Sequence, residues 1–112
     1  MLLLSLILFA LAAIVGLTLA FRIFQKKETS KPVALAHGAV GAIGLVVLIL
    51  HAAQNPQKLL TVAITLFVIA ALGGVLLFAN DLRKKSGPAF LVIVHALVAV
   101  AAVGIVVVVA IK

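Results

Sequence analysis

His37, His51 and His95 are the side chains here best suited to binding a metal or moving a proton near neutral pH. A neutral imidazole can donate an N–H from one ring nitrogen and still offer a lone pair on the other. Two of the three are tied together by spacing. At an offset of 58 residues (95 − 37), His37 falls on His95, Leu8-Phe9 on Leu66-Phe67 and Ala12-Ala13 on Ala70-Ala71. Gly16 likewise falls on Gly74, and Lys26-Lys27 on Lys84-Lys85. Self-similarity at a fixed period marks a structural repeat, so the two histidines are expected at equivalent places in two copies of one unit. His51 has no such partner, because its counterpart is Val109.

The elements that must position these residues are dictated by solvent. The 112 residues are 67% hydrophobic and include two acidic side chains, Glu28 and Asp81, more apolar surface than a water-soluble domain of this size could bury. Four apolar stretches, at about residues 2–24, 33–53, 59–79 and 89–111, each approach the ~20 residues that cross a bilayer core. Backbone groups in lipid must be satisfied within the segment, so the expected fold is all-α. The chain reads as a four-helix transmembrane bundle of two tandem helical hairpins, about residues 1–54 and 59–112, forming one domain. Valine-rich residues 106–109 favour a strand in water, but the setting overrides that propensity. Pro32 and Pro88 fit the first turns of helices 2 and 4, Ser30 and Ser86 are candidate N-caps, and Asn55-Pro56 makes the turn between hairpins.

The formal charge of +7 could point to nucleic acid, but its placement argues for a membrane. Of nine Lys and Arg, Arg22, Lys26, Lys27 and Lys31 lie between helices 1 and 2, and Arg83, Lys84 and Lys85 between helices 3 and 4. The positive-inside rule makes those loops cytoplasmic and puts both termini outside, as in a multi-pass protein of a bacterial inner membrane. Anionic lipid headgroups are their expected partner, with no nucleic acid. Helix 1 lacks a basic leader and is long enough to span, so a cleaved signal peptide is not expected. The absence of cysteine excludes disulfides, thiolate metal sites and covalent haem attachment within this sequence.

In an up-down-up-down bundle helices 2 and 4 are diagonal. His37 and His95 lie five and seven residues beyond Pro32 and Pro88, each roughly 8–10 Å inside the basic boundary. Two imidazoles at one depth on diagonal helices suit the two axial positions of one b-type haem iron. The face of His37 continues through Gly41 and Gly44, and Gly16 and Gly74 reach the same depth on helices 1 and 3, where a macrocycle edge would press. Arg22, Lys31 and Arg83 lie near enough to meet haem propionates. The same small residues also suit plain helix packing, and each histidine could simply bond to a neighbouring helix.

His51 follows His37 by fourteen residues, on nearly the same face about 21 Å away. This HX13H pattern resembles the ligand spacing of diheme b-type cytochromes, in which one helix serves a haem near each membrane surface. The resemblance implies a second haem, but with Val109 at the partner position it would need His51 from another chain. Over most of its length, on KPVALAHG (residues 31–38) and LVIVHALVA (residues 91–99), the chain also resembles small four-helix bacterial membrane proteins of unassigned function.

The expected function is that of a b-type cytochrome, with one haem per chain, exchanging single electrons with a quinone or a redox subunit, alone or as a homo-oligomer. The alternative is a haem-free structural or accessory subunit of a membrane complex. A small drug transporter fits in size, but the acids lie at the loops and there is no Trp or Tyr to cage a cation. Hydrolysis lacks a hydroxyl with a positioned base, and His51 lies too far from His37 to share one ion.

Overall fold

The computed structural model describes residues 1–83 and 89–112, which form four helices: α1 (Leu2–Phe24), α2 (Lys31–Gln54), α3 (Lys58–Leu82) and α4 (Ala89–Ile111). All four are long and apolar enough to cross a membrane, consistent with a multi-pass protein. The bundle is 42 Å long, against about 40–45 Å for a bilayer with its headgroups. Packing is closest within the hairpins α1/α2 and α3/α4, and the ring closes through α2/α3 and α1/α4, leaving α2 diagonal to α4.

Local chemistry fixes the helix ends. Ser30 is extended and its Oγ accepts from the Val33 N–H at 3.5 Å, so α2 begins at Lys31, two residues before its apolar stretch, with Pro32 in the first turn. After α1, Lys27 N–H donates to the Arg22 carbonyl and Lys26 N–H to that of Ile23. This paired closure puts Lys26 at φ 56°, a left-handed position usually held by glycine. Residues 55–57 make the tight turn from α2 to α3, where Asn55 caps the His51 carbonyl through both its backbone N–H and its side-chain amide. The α3 helix runs past its apolar stretch to Leu82, and its Asp81 carboxylate meets the Lys31 ammonium at 2.8 Å. That contact places the start of α2 and the end of α3 at one end of the bundle, called here the basic end. Ser86, Pro88, Lys84 and Lys85, expected in the second basic turn, fall outside the described residues.

Burial is lopsided. Among the described residues, Ser5, Phe9, Ala12, Gly44, Leu48, Leu60, Ala63, Phe67, Ala70, Ala102, Val106 and Val109 are buried, and all lie on the far side of the histidines from the basic end. On the basic side only Val92 is buried. At the centre of the packed half, Phe9 and Phe67, 58 positions apart, stack at 4.0 Å between ring centres and 11° between planes. Ser5, also enclosed, donates its hydroxyl proton to the Leu2 carbonyl at 2.7 Å.

Candidate functional site

Each histidine is oriented from within its own hairpin. The Nδ1–H of His37 donates to the Ala12 carbonyl at 2.8 Å, and the Nδ1–H of His95 donates to the Ala70 carbonyl at 2.7 Å. Donor and acceptor are 25 residues apart in both cases, and the two bonds are related by the offset of 58. A carbonyl can only accept, so each neutral ring must carry its proton on Nδ1 and its lone pair on Nε2.

The glycines explain why those carbonyls are reachable. In an α-helix the Ala12 carbonyl faces the N–H of residue 16, and the Ala70 carbonyl that of residue 74. Both positions are glycine, so the carbonyl flank is bare and the imidazole lies on it. A Cβ added at Gly16 would meet His37 Cε1 at 2.7 Å, and one added at Gly74 would meet His95 Cε1 at 3.2 Å. Gly16 and Gly74 thus stand at the depth expected, but what they seat is the imidazoles. Gly73 flanks His95 as well, 3.7 Å from Nδ1 by the same measure. Its counterpart at the 58-residue offset is Val15, so that offset does not mark it.

The two rings come together across the bundle, with centres 6.2 Å apart and planes at 78°. Both histidines are half-buried. Neither Nε2 has a hydrogen-bond partner among the described residues.

The remaining expected site residues separate into groups. Gly41, one turn from His37, has open space around it, with nothing within 4 Å of an added Cβ. Gly44 belongs to the packed half: an added Cβ would stand 3.1 Å from the Phe9 ring and 3.3 Å from Leu8 Cβ. Its missing side chain serves helix packing. Arg22, in the last turn of α1, is exposed at the basic end, where Lys31 is paired with Asp81. His51 lies near the far end of α2, separated from His37 by the level of the Phe9–Phe67 stack. Its counterpart Val109 is core, and no group of three or more His, Cys, Asp or Glu among the described residues could hold a metal ion.

Compared with protein-family models, with curated proteins and with solved structures, the chain matches none.

Proposed function

We propose that this chain is a minimal b-type cytochrome, in which His37 and His95 hold one haem between two tandem hairpins. One observation carries the reading: two imidazoles from diagonal helices, each with Nδ1–H bound to a backbone carbonyl, stand 6.2 Å apart with both Nε2 atoms unclaimed by the described residues. A histidine that ligates a metal normally donates its other ring N–H to a carbonyl or carboxylate, which fixes the tautomer and raises the basicity of the ligating nitrogen. With metal–nitrogen bonds of about 2 Å, imidazoles on opposite sides of one metal have centres roughly 6 Å apart. The separation of the rings and their shared tautomer are what support this donor set.

In this reading the chain's own residues perform three tasks. The Ala12 and Ala70 carbonyls hold both rings in one tautomer. Gly16 and Gly74 let the rings lie close enough to α1 and α3 to make those bonds, and Gly41 leaves space beside His37. The Phe9–Phe67 stack closes the bundle about 10 Å, or seven helical residues, from the histidine level, and so separates the site from His51. Haem, if bound, would be held by His37 and His95 and would supply a one-electron couple. A quinone or a neighbouring redox subunit would be the partner in electron exchange. The basic loops would face the cytoplasm of a bacterial cell, with both termini outside.

The alternative, a haem-free accessory subunit, is favoured by the same hydrogen bonds, since each also ties α1 to α2 or α3 to α4 without any ligand. A dithionite-reduced minus oxidised spectrum of the purified protein separates the two. The cytochrome reading expects a b-type α-band that disappears in both His37→Ala and His95→Ala. Wild-type protein purified from haem-replete cells without that band would sink the proposal.

A further inference from the structure

The groove between α1 and α2 at the basic end holds a cavity of about 160 Å³, lined by Thr18, Leu19, Arg22, Ser30 and Val33. We propose that it binds the phosphate of one anionic phospholipid headgroup. The position is interfacial: Thr18 lies two residues beyond Gly16, Val33 four before His37, and Arg22 in the last turn of α1, where the apolar span ends. The volume is below the ~300–1,000 Å³ of cofactor pockets and suits a headgroup better than a macrocycle.

The lining has the polarity a phosphodiester needs. Arg22 brings a permanent charge and a planar fork that matches phosphate oxygens, and among the described residues no carboxylate lines the cavity. Arg22 has no ion-pair partner among the described residues, whereas Lys31 at the same end is taken by Asp81. The Ser30 hydroxyl accepts from the Val33 N–H, and its own proton has no acceptor among the described residues. Thr18 has committed its proton to the Val15 carbonyl at 2.6 Å, so its oxygen can only accept, as from a glycerol hydroxyl. Leu19 and Val33 offer the apolar wall that acyl chains would follow.

The other hairpin does not repeat this site: Thr18 is answered by Leu76 and Arg22 by Asn80. Basic pockets between transmembrane helices are a recurrent seat for anionic headgroups. The inference is therefore one lipid per chain, held on the first hairpin, and it stands independently of haem.

Native mass spectrometry of the full chain in mild detergent tests it, with phosphatidylglycerol or phosphatidylcholine added and excess inorganic phosphate as competitor. One phosphatidylglycerol per chain should be retained, with a preference over phosphatidylcholine of roughly five-fold, the scale of one arginine near an anionic surface. Arg22→Gln should lose that preference. Thr18→Leu, which fills the cavity without changing charge, should lose retention, while Arg83→Gln should behave as wild type. Both Arg22 and Thr18 are exposed, so circular dichroism should show unchanged helicity. Equal retention of the two lipids, equal loss in Arg83→Gln, or displacement by inorganic phosphate would each overturn the proposal; the last would assign the cavity to a soluble phosphate instead.

Discussion

The two ends of this bundle are built from the same four helices and nearly the same amino acids, yet they pack differently. Beyond the histidines, toward the far end, the helices enclose a largely apolar core around the Phe9–Phe67 stack, with Leu48, Leu60 and Val106 fully enclosed. Toward the basic end only Val92 is buried among the described residues, and a 2.8 Å ion pair links α2 to α3. Lipid is as apolar as leucine, so helices associate in it only where shapes interlock or polar groups meet. The far half uses shape and the basic half uses polar contacts. A bundle that packs tightly in one half can leave the other half open enough to offer unclaimed ligands at the boundary between them.

Substitutions can break or sharpen that contrast. The largest effect should come from Phe67→Ala, which removes one ring of the stack. Lipid replaces water as the reference, so the hydrophobic transfer contribution drops out and the cavity contribution remains; the expected loss is about 2–3 kcal/mol. Steric trapping or unfolding in mixed micelles measures it. Next is Gly16→Ala, whose Cβ would press on His37 Cε1 at 2.7 Å. The ring must leave the Ala12 carbonyl, at a cost of about 1–3 kcal/mol, with a smaller effect for Gly74→Ala at 3.2 Å. The histidine Nδ1–H signal in NMR should show His37 released in the first variant and His95 largely retained in the second. If both behave alike, the two hairpins are more alike than the structure indicates.

Asp81→Asn should cost no more than about 1 kcal/mol, because the Lys31 and Asp81 side chains are 41% and 23% exposed and solvent screens the pair. The loss should shrink as salt is raised. At the small end, Gly41→Ala meets nothing within 4 Å and should change stability by less than about 0.5 kcal/mol. The matched change Gly44→Ala, against Phe9 at 3.1 Å, should be clearly destabilising. Equal costs for this pair of glycines, one turn apart on one helix, would remove the distinction between the halves.

Much of this was legible in the residues. Apolar stretches of spanning length predicted four helices, Ser30 and Pro32 marked the start of α2, and Asn55-Pro56 marked the turn. The depth of Gly16 and Gly74 is legible by counting, since they lie six residues before Arg22 and Asn80 respectively. Less legible was what those glycines touch: counting gives depth along a helix, but it cannot tell a ring that lies on a backbone from a flat ligand that slides past it. Gly44 shows the same gap, because its contact with Phe9 depends on helix rotation, which apolar composition on every face leaves undetermined. The uneven packing of the two halves was also hidden, since alanine, valine and leucine fill both.

The bonds from His37 to Ala12 and from His95 to Ala70 each close within a single hairpin. Neither of these hydrogen bonds draws on the opposite hairpin, so each ring is held by a bond internal to its own half. Anything gripped by both rings would act as a rivet between two finished parts. Its affinity would then count directly toward holding those parts together, and the two halves of a chain cut at residues 55–57 should associate more tightly with that rivet in place than without it.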